Sequence, residues 1–156
     1  KENLYCNSVS YGRFLSRALT HQIYQSYGLF VDETTAAKIW QRIGSFTADR
    51  KDQVTVSGIS MDGQEERMLI VTEELIPAFH SAFQPIVEEC RYQLAALQAK
   101  IGNIAKKTLY LTGKEAAIPG LKFYLEEKLN LPVTLDKQPQ HTLIEGIQTY
   151  LMQFDE

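Results

Sequence analysis

The sequence predicts an α/β fold, and three patterns support this prediction. Apolar residues recur at helical spacing in two stretches before residue 44. Between residues 53 and 71 they alternate instead, as they do in a β-hairpin. Further along, an apolar strand that begins at Leu109 stops at the turn residue Gly113, and an amphipathic helix and a second short strand opened by Pro132 follow it. Helices and strands that follow one another in this way are typical of domains in which helices cover a sheet.

Two helices are predicted in the first 44 residues. The first begins after Ser10, which can cap it, and ends at Gly28. The second begins at Asp32 or Thr34 and ends at Gly44. The apolar positions that give each helix one buried face are Phe14, Leu15, Ala18, Leu19 and Ile23, then Ala36, Ala37, Ile39, Trp40 and Ile43.

A hairpin and two further helices are predicted after residue 50. The hairpin turns at Asp62-Gly63, because this pair favours the tight turn that joins two antiparallel strands. Thr72 is predicted to cap a long helix that runs toward residue 100 and that Pro85 divides or kinks. A closing helix is predicted after Pro139, with apolar positions at Leu143, Ile144, Ile147, Tyr150, Leu151 and Phe154.

Composition and charge exclude several classes of protein. The chain has 156 residues, enough for one domain or two tightly joined subdomains. Apolar residues make up 44% and charged residues 22%, as in ordinary globular proteins. A net charge of -3 gives no general attraction to nucleic acid, and no apolar run approaches the roughly 20 residues that span a bilayer. Cys6 and Cys90 lack the spacing of metal ligands, so we expect a protein of the reducing cytoplasm.

The sequence from Leu109 to Leu121, Leu-Tyr-Leu-Thr-Gly-Lys-Glu-Ala-Ala-Ile-Pro-Gly-Leu, resembles a known nucleotide-binding loop. In the actin, Hsp70 and hexokinase superfamily, the adenosine-binding loop follows a strand that ends in a Gly-Gly-containing turn before a helix. Within this superfamily the sequence is most similar to the bacterial MreB actin homologues. Three other stretches keep the order of that family: residues 26–45, the hairpin and helix start at residues 53–76, and the helix around Gly146. The resemblance extends from about Tyr11 to Leu151.

The resemblance implies an actin-like ATPase domain of the ribonuclease H-like class. Residues 1–156 would form its second lobe, in which a small helix-and-hairpin subdomain at about 30–100 is inserted between residues 1–29 and 101–156. ATP-binding members hold phosphates and metal with hairpins resembling Asp-x-Gly-x-Thr, and this sequence contains none. We therefore predict no catalytic residues, no metal ligands and no self-contained ATPase activity, while ATP or ADP with Mg²⁺ remains possible in a full-length form.

Five residues match the family's nucleotide site. Gly113 keeps the first glycine of the loop, which would let a ribose or phosphate approach the backbone closely, although any strand-to-helix turn could also use it. Lys114 and Glu115 replace small residues and are expected to crowd a nucleotide, unless Lys114 pairs with a phosphate. The adenine-facing Glu and Lys of the family match Ala37, which cannot accept a hydrogen bond, and Trp40. Trp40 could stack on a base, but filling the core is the favoured interpretation. Weakened or lost nucleotide binding is predicted.

The function that this resemblance implies is that of an MreB-like cytoskeletal or scaffold protein. Such proteins form filaments and organise cell shape or cell-wall synthesis, and a member with a degenerate loop would be a pseudo-ATPase. An actin-fold adaptor of the FtsA or PilM kind, which binds a partner protein, is an alternative because Ile118-Pro-Gly-Leu121 is similar in those adaptors. A third possibility is part of an ATPase or sugar kinase whose phosphate hairpins lie on missing sequence.

Overall fold

The computed structural model describes residues 11–101 and 108–137. The predictions for Ser10, for the helix after Pro139 and for the helix around Gly146 fall outside these residues. The elements in chain order are α1 (Tyr11–Tyr27), β1 (Leu29–Phe30), α2 (Glu33–Ile43), β2 (Gln53–Ser60), β3 (Glu65–Val71), α3 (Thr72–Ile101), β4 (Leu109–Leu111), a 3-10 turn (Lys114–Ala117), α4 (Leu121–Leu129) and β5 (Val133–Leu135). This mixture of helices and sheet confirms the α/β fold class.

Helix α1 ends where the sequence predicts. The amide of Gly28 donates to the carbonyl of Tyr24 at 2.8 Å, and Gly28 has a φ of 65°, a conformation that glycine adopts without strain. The apolar face of α1 packs into the core, where Leu15, Leu19 and Ile23 are fully buried. Phe14 was expected on this face, but its side chain is 51% exposed. It precedes Leu15 by one position, and a step of about 100° along the helix turns it toward the edge of the buried face.

Helix α2 begins at Asp32, one of the two predicted caps. The Asp32 carboxylate accepts a hydrogen bond from the backbone N–H of Thr35. This hydrogen bond, followed by one from the Thr35 side chain, holds the pKa of Asp32 below its ordinary value. The charged carboxylate therefore stabilises the first turn of α2, the helix that also carries Trp40.

Replacing Asp32 with asparagine is expected to lower stability most at neutral pH. Asparagine keeps an acceptor oxygen but loses the negative charge that favours a helix N-terminus. Because the pKa of Asp32 is lowered in the folded state, its contribution is complete above the ordinary aspartate pKa of about 4 and is lost as the pH falls through the lowered value. The measurement is the thermal midpoint of both proteins between neutral and strongly acidic pH. A difference in midpoint that is the same at every pH would contradict this account.

Strands β1, β2 and β3 form an antiparallel sheet in that spatial order. The predicted turn is confirmed, since Gly63 has a φ of 83° at the connection between β2 and β3. The inner face of the sheet buries Val56 and Ile70 against the core. Strand β1 was not predicted, because a strand of two residues carries no alternation and forms only through pairing with Ser60 and Ile59 of β2.

Helix α3 is continuous from Thr72 to Ile101, so Pro85 does not divide it, and the alternative that Pro85 kinks the helix stays a prediction. Three buried side chains explain why the helix persists. Phe79, Phe83 and Val87 are spaced four residues apart and all pack in the core, so the turns before and after Pro85 are held by the same core. This packing outweighs the loss of the backbone hydrogen bond that proline cannot donate.

Thr72 does not cap α3, which corrects the sequence prediction. Its side chain is buried, and its hydroxyl lies 3.0 Å from the carbonyl of Ile43 and 3.1 Å from that of Asp52. It therefore satisfies carbonyls at the end of α2 and before β2. At the start of α3 the carboxylate of Glu74 accepts from the backbone N–H of Val71 at 3.1 Å, and the Tyr27 hydroxyl donates to the same oxygen.

The two remaining strands, β4 and β5, pair in parallel, with Leu109 opposite Val133. Helix α4 connects them and buries Leu121, Tyr124, Leu125 and Leu129. The ring of Tyr124 packs near that of Phe46, with 4.9 Å between ring centroids, and Phe46 also contacts Phe79 and Phe83 of α3. An aromatic cluster therefore joins α3, α4 and the loop after α2.

Candidate functional site

The loop between β4 and α4 lies beyond the carboxyl end of a parallel strand, as the sequence predicts. In α/β folds this edge is where ligands bind. Gly113 opens the loop with a φ of 97°, and a side chain added there would meet nothing within 4 Å. Gly113 therefore serves the turn conformation, and the space beside it is open.

The end of this loop is fixed against the segment that follows α2. The backbone N–H of Phe46 donates to the carbonyl of Pro119 at 2.9 Å, and the hydroxyl of Ser45 lies 3.4 Å from the same oxygen. Gly120 has a φ of 80°, and a Cβ at this position would lie 2.7 Å from Cγ2 of Thr47. This close approach brings the loop and the end of α2 together around one cavity.

The cavity, which we call the loop cavity, has a volume of about 390 Å³. It lies between α2 and the loop after β4. The residues that line it are Trp40, Gln41, Gly44, Arg50, Lys114, Ala117, Ile118 and Pro119. The lining contains aromatic, apolar and cationic groups and the amide of Gln41, but no carboxylate.

Trp40 belongs both to the core and to the wall of the loop cavity. It is 6% exposed, and its indole N–H donates to the hydroxyl of Ser16 at 3.3 Å. The ammonium of Lys114 lies 5.9 Å from the centroid of the Trp40 ring, within the range of a cation–π contact. The favoured core interpretation of Trp40 agrees with this burial. Its exposed edge nevertheless faces the cavity, beside Lys114.

Two further predicted site residues, Ala37 and Glu115, do not line the loop cavity. Ala37 is half-buried, packs against the core and does not line the loop cavity. The carboxylate of Glu115 points to α1, where its Oε1 would lie 2.7 Å from a Cβ placed on Gly12. The structure thus brings Trp40 and Lys114 together in the lining of the loop cavity, to which Ala37 and Glu115 do not contribute.

Sequence reasoning missed Arg50, which also lines the loop cavity. Arg50 forms an ion pair with Asp52, and its Nη2 lies 3.4 Å from the carbonyl of Arg42 at the end of α2. No local pattern marks Arg50, since it lies in an irregular segment whose position depends on the fold. It also borders a second, more polar cavity of about 460 Å³, which we call the basic cavity, lined by Arg42, Ile43, Arg50, Lys51, Asp52 and Gln53.

Neither a metal site nor a membrane helix occurs in the part of the chain that the structure describes. Across residues 11–101 and 108–137, no three His, Cys, Asp or Glu side chains lie together as metal ligands would. No helix within these residues is both long and apolar enough to cross a bilayer. With no carboxylate in its lining, the loop cavity does not fit a magnesium ion, which prefers oxygen ligands.

The fold of this chain is similar to that of several solved structures. MreB5 of Spiroplasma citri bound to ADP matches with a TM-score of 0.84 and 19% sequence identity, over 92% of this chain and 44% of that chain. A MamK double helical filament matches with a TM-score of 0.64 and 21% identity, over 83% of this chain and 40% of that chain. The fold is therefore that of the actin-like proteins, as the sequence resemblance implied.

The particular family follows from sequence. The model of the MreB/Mbl protein family matches residues 5–156, and the chain belongs to this family. The cell shape-determining protein MreB of Escherichia coli (strain K12) is 26% identical over 154 residues, which cover 92% of this chain and 42% of that protein. The cell shape-determining protein Mbl of Bacillus cereus (strain ATCC 10987 / NRS 248) is 24% identical over 140 residues, with coverages of 88% and 42%. The chain thus spans about 42% of the length of these relatives, and its family does not favour an adaptor or a sugar kinase.

Proposed function

We propose that this chain is the second-lobe part of a cell-shape scaffold protein in which nucleotide binding is weakened or lost and copies associate with one another. Its relatives are cell shape-determining proteins, and the MamK neighbour forms a filament. Residues 30–100 would be the smaller subdomain of this lobe. The observation that carries the proposal is the arrangement of Trp40 and Lys114 in the loop cavity.

Three features of the loop cavity argue for weakened nucleotide binding. The indole N–H of Trp40 is already used by Ser16, so it is not available to a base. The ammonium of Lys114 lies over the Trp40 ring, where a stacked base would have to displace it. Ala37, which matches an adenine-facing residue of the family, has no polar side chain and lies outside the cavity. Neither Trp40 nor Ala37 therefore offers a base the hydrogen bonds that the matching residues of the family provide.

The test is isothermal titration of ATP and ADP, with magnesium, into the longest native form of the protein and into its Lys114→Gly/Glu115→Gly variant. We expect weak or no binding to the native protein. The double glycine change removes the ammonium from the Trp40 ring and restores small residues, so affinity should rise by about tenfold or more, equivalent to about 1.4 kcal/mol.

The control is Lys38→Ala, which removes a positive charge from the exposed side of α2 without touching the loop cavity. It should leave the titration unchanged. Absence of binding in both proteins would place the loss at Ala37 and Trp40 rather than at the loop. Tight binding to the native protein that the glycines do not improve would reject weakened nucleotide binding.

A further inference from the structure

Strand β3 is an edge strand of the three-stranded sheet. The sheet has the order β1-β2-β3, so β3 pairs with β2 on one side. Across residues 11–101 and 108–137, no strand pairs with its other side. An edge of this kind presents a row of backbone N–H and C=O groups on which another strand can form. With seven residues, β3 is long enough for such pairing.

Two hydrogen bonds show which residues of β3 direct their backbone groups to β2. In an antiparallel pair, every second residue directs both its N–H and its C=O to the neighbouring strand, and the residues between direct them away. The N–H of Ser60 donates to the carbonyl of Gln64, just before β3. The N–H of Thr72, just after β3, donates to the carbonyl of Asp52. The residues of β3 that face β2 are therefore those at positions 66, 68 and 70.

Glu65, Arg67 and Leu69 direct their backbone groups to the open edge instead. They alternate with the residues that face β2, and the register between the strands is unbroken from Gln53–Val71 to Ile59–Glu65. All three side chains are exposed, that of Leu69 by 51%. The ion pairs among the described residues include neither Glu65 nor Arg67. The open edge thus offers backbone groups together with an acidic, a basic and an apolar side chain.

Glu74 marks the end of this open row. Val71 is the next residue in the alternation, and its backbone N–H donates to the carboxylate of Glu74 at 3.1 Å. This contact agrees with the register, because the N–H of Val71 must point away from β2 to reach Glu74. A strand added at the edge would find this donor already used. The open row therefore extends over residues 65–69.

We propose that the open edge of β3 binds an extended segment of a partner protein, which adds to the sheet as a further antiparallel strand. In this mode of binding, main-chain hydrogen bonds supply the affinity and alternate side chains supply the specificity. Antiparallel pairing is the slightly more stable arrangement. The segment carries a basic residue opposite Glu65, an acidic residue opposite Arg67 and a β-branched residue opposite Leu69, because opposite charges and apolar pairs stabilise neighbouring strands.

The probe for this site is the peptide acetyl-Thr-Val-Thr-Glu-Thr-Lys-Thr-amide. Aligned antiparallel to β3, it places its valine opposite Leu69, its glutamate opposite Arg67 and its lysine opposite Glu65. Titration into the longest native form of the protein, followed by NMR, should give saturable binding. A peptide in which the glutamate and the lysine are exchanged should bind more weakly, since like charges then lie opposite each other.

Hydrogen exchange of the β3 amides tests the register directly. In the free protein, the amides at positions 66, 68 and 70 should exchange slowly, because they donate to β2. Those at positions 65, 67 and 69 should exchange fast. Saturating peptide should slow the second set by about tenfold or more and leave the first set unchanged.

N-methylated peptides provide the matched control. Methyl groups on the amides of valine, glutamate and lysine remove the three donors that face β3, so this peptide should bind at least about tenfold more weakly. Methyl groups on the three threonine amides that follow them point away from β3. This second peptide has the same composition, and its binding should be nearly unchanged.

Two substitutions at Arg67 make the same comparison on the protein. Arg67→Pro removes one donor from the open edge, and proline is tolerated where a strand N–H faces solvent. Arg67→Thr removes the charge but keeps the donor. We expect no measurable binding to the first variant, whereas the second should lose no more than about fivefold in affinity. Circular dichroism verifies that both variants fold.

Three results would overturn the proposal: no binding of the probe, equal binding of the two N-methylated peptides, or no slowing of exchange at positions 65, 67 and 69. Slow exchange at these positions without peptide would also overturn it. If that protection grew with protein concentration, a second copy would be the occupant of the edge. If it did not, another part of the same chain would cover the edge.

Discussion

Replacing Phe79 with alanine is expected to lower the free energy of unfolding by about 3–5 kcal/mol. The side chain is fully buried, and its ring meets that of Phe46 edge-on with 5.5 Å between centroids. Its removal loses the transfer free energy of a large apolar group and leaves a cavity where α3 meets the loop after α2. Urea unfolding followed by circular dichroism measures the loss.

The matched control is Phe123→Ala, whose ring is 67% exposed and whose removal should cost about 0.5 kcal/mol or less. Equal losses in the two variants would contradict this assignment of the core.

Replacing Gly120 with alanine is expected to cost about 3 kcal/mol or more. Two effects add at this position: a φ of 80°, which costs an L-residue about 1–2 kcal/mol, and a Cβ that would lie 2.7 Å from Cγ2 of Thr47 and 3.2 Å from its backbone N. The measurement is again urea unfolding.

Gly63→Ala is the matched control for Gly120→Ala. Its φ of 83° is nearly the same, but nothing lies within 4 Å of an added Cβ. It should cost about 1–2 kcal/mol, so the difference between the two variants measures the packing of the loop against the end of α2. If the two variants lose the same free energy of unfolding, the close approach between Gly120 and Thr47 would be wrong.

The elements that the sequence predicted correctly depend on neighbouring residues. Each of these features is determined by residues within about four positions of it. They are the helix ends at Gly28 and Gly44, the cap at Asp32 and the turn at Gly63. Strand β1 was missed because its two residues form a strand only through distant pairing.

Two departures of α3 from local sequence preference, at Thr72 and at Pro85, have the same origin in contacts that are distant along the chain. Thr72 has the chemistry of a cap, but its hydroxyl is directed to carbonyls 29 and 20 residues away. Pro85 has the chemistry of a helix break, but the core holds Phe83 and Val87 on either side of it. Local propensity is overridden in both cases by tertiary packing.

The candidate site could be predicted only in part. Trp40 and Lys114 were found through a resemblance that aligns residues, and alignment carries no information on side-chain direction. Glu115 was therefore expected beside Lys114, although its carboxylate turns to α1. Arg50 could not be found because the path of its loop is set by contacts with α2 and with the end of the loop after β4.

The oxygen of Glu74 that accepts from both Tyr27 and Val71 has a mechanical consequence. Tyr27 is the last residue of α1, one residue before the start of the three-stranded sheet, and Val71 is the last residue of that sheet. One carboxylate oxygen thus accepts hydrogen bonds from residues at both the start and the end of the sheet. The hydrogen bond between Tyr27 and Glu74 joins residues 47 positions apart, so the end of α1 and the start of α3 could separate only if it broke.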